Sequence, residues 1–99
     1  MNKPFTLVIA PTPRTFQRWR DQFMSENKVF EVQDNGYRLE TGDRNYKFVH
    51  EQNMLYGYPI ETTKVLIIGD WSNADGRALN CKSFAEVRYL PANIERVSV

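Results

Sequence analysis

Residues 5–10 read Phe-Thr-Leu-Val-Ile-Ala, apolar almost without interruption. A run this short and this continuous predicts a strand covered on both faces. Pro11-Thr12-Pro13 ends it. Thr12 offers an N-cap oxygen and Pro13 suits the first helical position, so a helix is predicted over 13–26. Phe16, Trp19, Phe23 and Met24 fall at i, i+3, i+7 and i+8, one apolar stripe. Arg14, Arg18, Asp21 and Gln22 fall on the opposite, solvated side.

The middle of the chain changes period. Val29 to Gln33 alternates, Asn35-Gly36 is a strong hairpin signal, and Tyr37 to Glu40 pairs back. Thr41 to Asn45 predicts a second turn and Tyr46 to His50 a third strand. Glu51 to Tyr56 predicts one helical turn, stopped by Gly57-Tyr58-Pro59. Lys64 to Gly69, Lys-Val-Leu-Ile-Ile-Gly, predicts a second central strand. Ser72 is expected to cap a short helix over 73–81, which Gly76 weakens. Phe84 to Leu90 predicts a last strand ended by Pro91, and residues 92–99 are expected to be ordered only in part.

These elements predict one small α/β domain over residues 1–99, in two or three layers. Its mixed sheet would have parallel central strands plus a hairpin or meander. Composition agrees: 41% hydrophobic and 25% charged residues belong to a globular chain, and the apolar residues come in periodic runs. The net charge of +1 singles out neither a nucleic acid nor a membrane as partner. One cysteine, Cys81, permits no internal disulfide and points to a reducing compartment. The opening Met1-Asn2-Lys3-Pro4-Phe5 has no signal-peptide pattern, and the longest apolar run, Val65 to Gly69, is far below the roughly 20 residues that span a bilayer. A cytoplasmic protein is expected.

Three places are candidates for chemistry. The first is the junction of the first strand and first helix, where Thr12 and Arg14 would present free backbone N–H groups and a cation to an anion. An empty capped helix is the plainer reading. The second is Asp70, beyond the second central strand, at the edge where open α/β sheets bind ligands. It would share a rim with Thr12 and either hold a cation or close a turn by an Asx hydrogen bond. The third is the basic set Arg14, Arg18 and Arg20 around Trp19, suited to phosphate contact. Trp19 itself lies on the apolar stripe and is expected in the core. Residues 1–28 carry five basic and two acidic side chains, an excess of three. Tyr56, Tyr58, Trp71 and Tyr89 would form a protein-binding patch if they share a face.

No metal or cofactor is expected: His50 is the only histidine, and no phosphate-binding Gly-rich loop with Lys is present. His50, Cys81 and Asp70 lack the spacing of a nucleophilic triad, so no catalytic residue is assigned.

Thr6-Leu7-Val8-Ile9-Ala10-Pro11-Thr12, followed by a helix with Gln17-Arg18-Trp19 and Phe23, resembles motif Ia of RecA-like helicase and terminase domains. Tyr46 to His50, Asn53 to Gly57 and Lys64 to Asp70 resemble the stretch leading to their Walker B strand. The layout is similar to small phage-encoded proteins of unassigned role. The resemblance covers roughly residues 5–75. It implies a half-domain without the phosphate-binding loop, since the first strand starts near residue 5. The acidic pair is reduced to Asp70 followed by Trp71. ATP hydrolysis is therefore not expected, and what carries over is phosphate-backbone contact through Thr12 and Arg14.

The leading expectation is a non-catalytic binding module, of the phage accessory type, that docks on a host protein. The alternatives are a nucleic-acid binder using the first helix and its arginines, and a small-ligand or phosphate binder at the Thr12–Asp70 rim.

Overall fold

The computed structural model describes residues 3–98. Strand β1 (Phe5–Ile9) leads into helix α1 (Pro13–Glu26). Then come β2 (Glu31–Gln33), β3 (Arg38–Glu40) and β4 (Asn45–Val49), a 3-10 turn at Gln52–Leu55, and β5 (Lys64–Ile68). Helix α2 (Gly76–Arg88) and β6 (Ile94–Val97) complete the chain.

The six strands form one mixed sheet in the order β2-β3-β4-β1-β5-β6. β4, β1, β5 and β6 run parallel, and β2 and β3 add antiparallel at one side. This is the small α/β domain with parallel centre and hairpin extension that the sequence predicts. The continuous apolar run of β1 follows from its interior position. Leu7 and Ile9 face a core shared with Cys81, Ala85 and Tyr89 of α2 and its C-terminal cap. Val8 and Ala10 face a second core shared with Phe16 and Trp19 of α1. The sheet is thus the middle of three layers, with α1 on one face and α2 on the other.

Helix α1 keeps its predicted bounds. Thr12 caps it, its Oγ1 accepting from the Thr15 N–H at 3.2 Å. Between β2 and β3 the chain turns through left-handed backbone at Asp34, Asn35 and Gly36. Asp, Asn and Gly are the residues that tolerate this conformation best.

Two predicted elements are corrected. Phe84 to Leu90 is not a strand; residues 84–88 are the second half of α2. Ala85, Val87 and Tyr89 alternate with charged Glu86 and Arg88, which mimics a strand. Yet Ala78, Cys81, Ala85 and Tyr89 are the buried positions, at i, i+3, i+7 and i+11, a helical spacing. Asp75, and not Ser72, caps this helix through a 2.8 Å bond from the Ala78 N–H. Gly76 costs little because it sits at the helix start and not in its interior. Within the tail, Ile94 to Val97 pair with β5 in parallel.

Candidate functional site

The rim formed by the carboxyl ends of the parallel strands brings Thr12 and Asp70 to the same edge, as neighbours β1 and β5 are parallel. The space between them is filled. Gly69 takes a φ of +86°, and a Cβ built there would lie 2.6 Å from Thr15 Cγ2 and 3.3 Å from Pro11 Cδ. Asp70 is exposed and already engaged: its Oδ1 accepts from the Ser72 N–H at 2.9 Å and from the Ser72 hydroxyl at 2.7 Å. The Ser72 hydroxyl, then the Ser72 backbone N–H, hold its carboxyl below the usual range. This is the Asx-turn geometry weighed in the sequence.

One opening at this edge lies on the other side of β1. A cavity of about 210 Å³ there is lined by Pro11, Thr12, His50, Asp75 and Arg77, among others. It brings together the N-termini of both helices. Each carries its own cap, however. Thr12 and Asp75 each accept a backbone N–H that an anion would otherwise use, and the Asp75 carboxylate places negative charge in the cavity wall. Arg77 is drawn to Glu51, Nη1 to Oε1 at 3.1 Å.

The basic set on α1 divides. Arg14 and Arg18 are exposed and one helical turn apart. Arg20 turns away from them, since two residues rotate the helix by about 200°. It pairs with Asp21 at 3.3 Å, and its Nη1 donates to the Gly36 carbonyl at 3.4 Å. Trp19 is 9% exposed and stacks on Phe23 with ring centroids 4.9 Å apart; it is a core residue, as its stripe predicts.

The aromatic set also divides, around α2. Tyr89 is not on the surface: it is 2% exposed, and its hydroxyl donates to the Leu55 carbonyl at 3.0 Å. Trp71 is half-buried, its Nε1 donating to the Ile68 carbonyl at 3.0 Å and Lys82 lying over its ring. Tyr56 is exposed and meets Phe84 edge-on at 5.5 Å, with Arg88 beside it. Lys82 and Phe84 point about 200° apart on a helix, so Trp71 and Tyr56 flank α2 on opposite sides. Tyr58 joins Tyr56 on one side only, half-buried against Phe5 at 5.0 Å.

Two surface features escaped the sequence reading. The outward side of α2 carries Leu79, 40% exposed, and Val87, 87% exposed, with Leu90 (48%) just past its end. Helical spacing of the small residues Ala78, Cys81 and Ala85 is the signal that would have revealed this outer stripe. The second feature is a set of cations on the sheet face opposite α1, where Arg38 lies over the Phe5 ring at 5.3 Å and Lys47 over the Tyr58 ring at 5.8 Å. Among the described residues no group of His, Cys, Asp and Glu is arranged to hold a metal ion, and no helix is long and apolar enough to cross a membrane.

These features define the chain as a three-layer α/β domain with two uncovered surfaces. No protein-family model, no curated protein and no solved structure matches it.

Proposed function

We propose that this chain is a binding module that docks on another protein through the outer face of α2. The observation that carries this reading is Val87. A β-branched aliphatic side chain 87% exposed in the last turn of a helix, on the same outward side as Leu79 and followed by Leu90, is wasted apolar area in an isolated domain. Single exposed aliphatics are ordinary, but several on one side of a helix with an exposed tyrosine at its margin have the composition of a docking face. Tyr56, next to Phe84 and Arg88 at the side of the same helix, extends it. Tyr58 contributes from the edge; Trp71 and the buried Tyr89 do not. The narrower form of the proposal is a phage-type accessory protein acting on a host protein.

The test is capture from a nuclease-treated bacterial lysate, comparing the wild-type chain with Leu79→Asp/Val87→Asp. Both positions are exposed, so folding is expected to be unaffected to within about 0.5 kcal/mol each. A protein retained by the wild type and lost by the double variant is the expected result. Equal retention by both, or none by either, would overturn the reading.

A further inference from the structure

We propose that the sheet face opposite α1 binds single-stranded nucleic acid. The site is a track from Arg38 and Lys47, past Tyr58 and Tyr56, to Arg88. It goes beyond docking through α2: it shares Tyr56, Tyr58 and Arg88 with the margin of that face, while Arg38 and Lys47 belong to the track alone.

The antiparallel half of the sheet puts Arg38 directly opposite Lys47 on neighbouring strands. Opposed like charges repel, and a strand pair gains nothing from them in isolation. Neither cation has an acidic partner among the described residues. The ion pairs among the described residues use Lys3, Arg20, Arg77, Lys82 and Arg96. Glu40, two residues from Arg38, is taken by Lys3 at 2.7 Å. Arg38 and Lys47 are instead held over the rings of Phe5 and Tyr58, which themselves meet edge-on at 5.0 Å. Such contacts fix a cation in place without neutralising it.

The track continues along the chain through Tyr56-Gly57-Tyr58. Gly57 takes a φ of +93° with nothing within 4 Å of the position a Cβ would occupy, so the loop surface between the two tyrosines is open. Tyr56 is 57% exposed. Beside it lies Arg88, which contacts the rings of Tyr56 and Tyr89. The Arg88 Nε is buried and has no hydrogen-bond partner. Three cations with no counter-ion among the described residues, interleaved with an exposed ring, are what a flexible polyanion with flat bases requires. The cations take phosphates, and Tyr56 takes a base by stacking, independent of base identity. An acidic polypeptide would satisfy the charges but leave the exposed ring without a stacking partner.

The experiment is fluorescence anisotropy of the full chain with a labelled oligothymidine of about 12 nucleotides, near the upper range of single-strand site sizes. Binding is expected at about 50 mM salt, with log K falling against log salt at a slope of roughly −2 for three phosphates. Arg38→Gln/Lys47→Gln is expected to weaken binding by about tenfold or more, and Tyr56→Ala by about tenfold, as loss of one stacked base. Arg14→Gln/Arg18→Gln should leave it unchanged, which separates this site from the exposed arginines of α1. Thermal melts confirm that the variants are folded. Absence of binding at low salt, loss through Arg14 and Arg18 in place of Arg38 and Lys47, or equal binding of polyglutamate would each overturn the proposal.

Discussion

Arg38 and Lys47 stand directly across from each other on the antiparallel strands β3 and β4, both half-buried and both without an acidic partner among the described residues. Their repulsion gives a prediction about stability that is independent of any ligand. Lys47→Glu would turn a like-charged cross-strand pair into an opposite-charged one, a change worth about 0.2–1 kcal/mol in favour of the fold. The midpoint of urea unfolding should rise with an unchanged slope, and the gain should shrink in high salt as the pair is screened. A fall in the midpoint would mean that the contact of the Lys47 ammonium with the Tyr58 ring outweighs the repulsion. The same substitution should weaken oligonucleotide binding. Greater stability with poorer binding is what a surface shaped for a ligand produces, and a purely structural pair would not show it.

A second prediction concerns the closed rim at Gly69. This residue has a φ of +86°, and a Cβ there would come within 2.6 Å of Thr15 Cγ2. Gly69→Ala therefore meets two costs together, a left-handed backbone and a clash at the base of α1. A loss of about 1–3 kcal/mol is expected on thermal or urea unfolding. Thr15→Ser in the same background removes the clashing methyl and should restore part of it, leaving the backbone cost and the close approach to Pro11. If Gly69→Ala unfolds like the wild type, the rim is looser than this contact describes.

Much of the fold was legible in the chain because its strongest signals are local. β1 and β5 are short apolar runs whose ends are marked by Pro11 and Gly69, and α1 has both a cap and a stripe. The second half failed where two periods overlap. Between Ala85 and Tyr89 every other residue is apolar, while the same residues sit three or four apart from Ala78 and Cys81. Only the packing of small side chains under α2 decides for the helix. The Arg38–Lys47 pair was hidden for a related reason. A turn read as Thr41 to Asn45 is one residue too long, since Asn45 already belongs to β4 and pairs with Glu40. A one-residue slip in register exchanges the two faces of a strand, so no reading of the turn at that length could oppose Arg38 to Lys47. Tyr56 and Tyr58 were found together because sequence proximity alone joins them. Tyr89 was misplaced because its aromatic ring gives no hint of the Leu55 carbonyl that holds it inside.

Cys81 supplies the last prediction. It is fully buried between α2 and the sheet, and burial pushes its thiol from 9.0 up to about 11. A buried neutral thiol is a small hydrophobe and a poor nucleophile. At pH 8 an aromatic disulfide reagent should not label the native chain, and should label it fully in urea. The pH dependence follows from the direction of the shift. Between about 9 and 11 the unfolded chain releases the thiol proton while the folded chain retains it, so the unfolded state binds fewer protons and stability falls as pH rises. At one pH unit per 1.36 kcal/mol, the full loss is at most roughly 2–3 kcal/mol. Cys81→Ala has no proton to lose, and isolates this effect from the lysines and tyrosines that titrate nearby. The variant should be less stable than the wild type at pH 8, since it leaves a small cavity, and the gap should narrow steadily toward pH 11. A gap constant across that range, or rapid native labelling at pH 8, would place the thiol in contact with solvent through opening of α2. That opening would in turn disturb the outer face on which Leu79 and Val87 stand, because the same helix carries both.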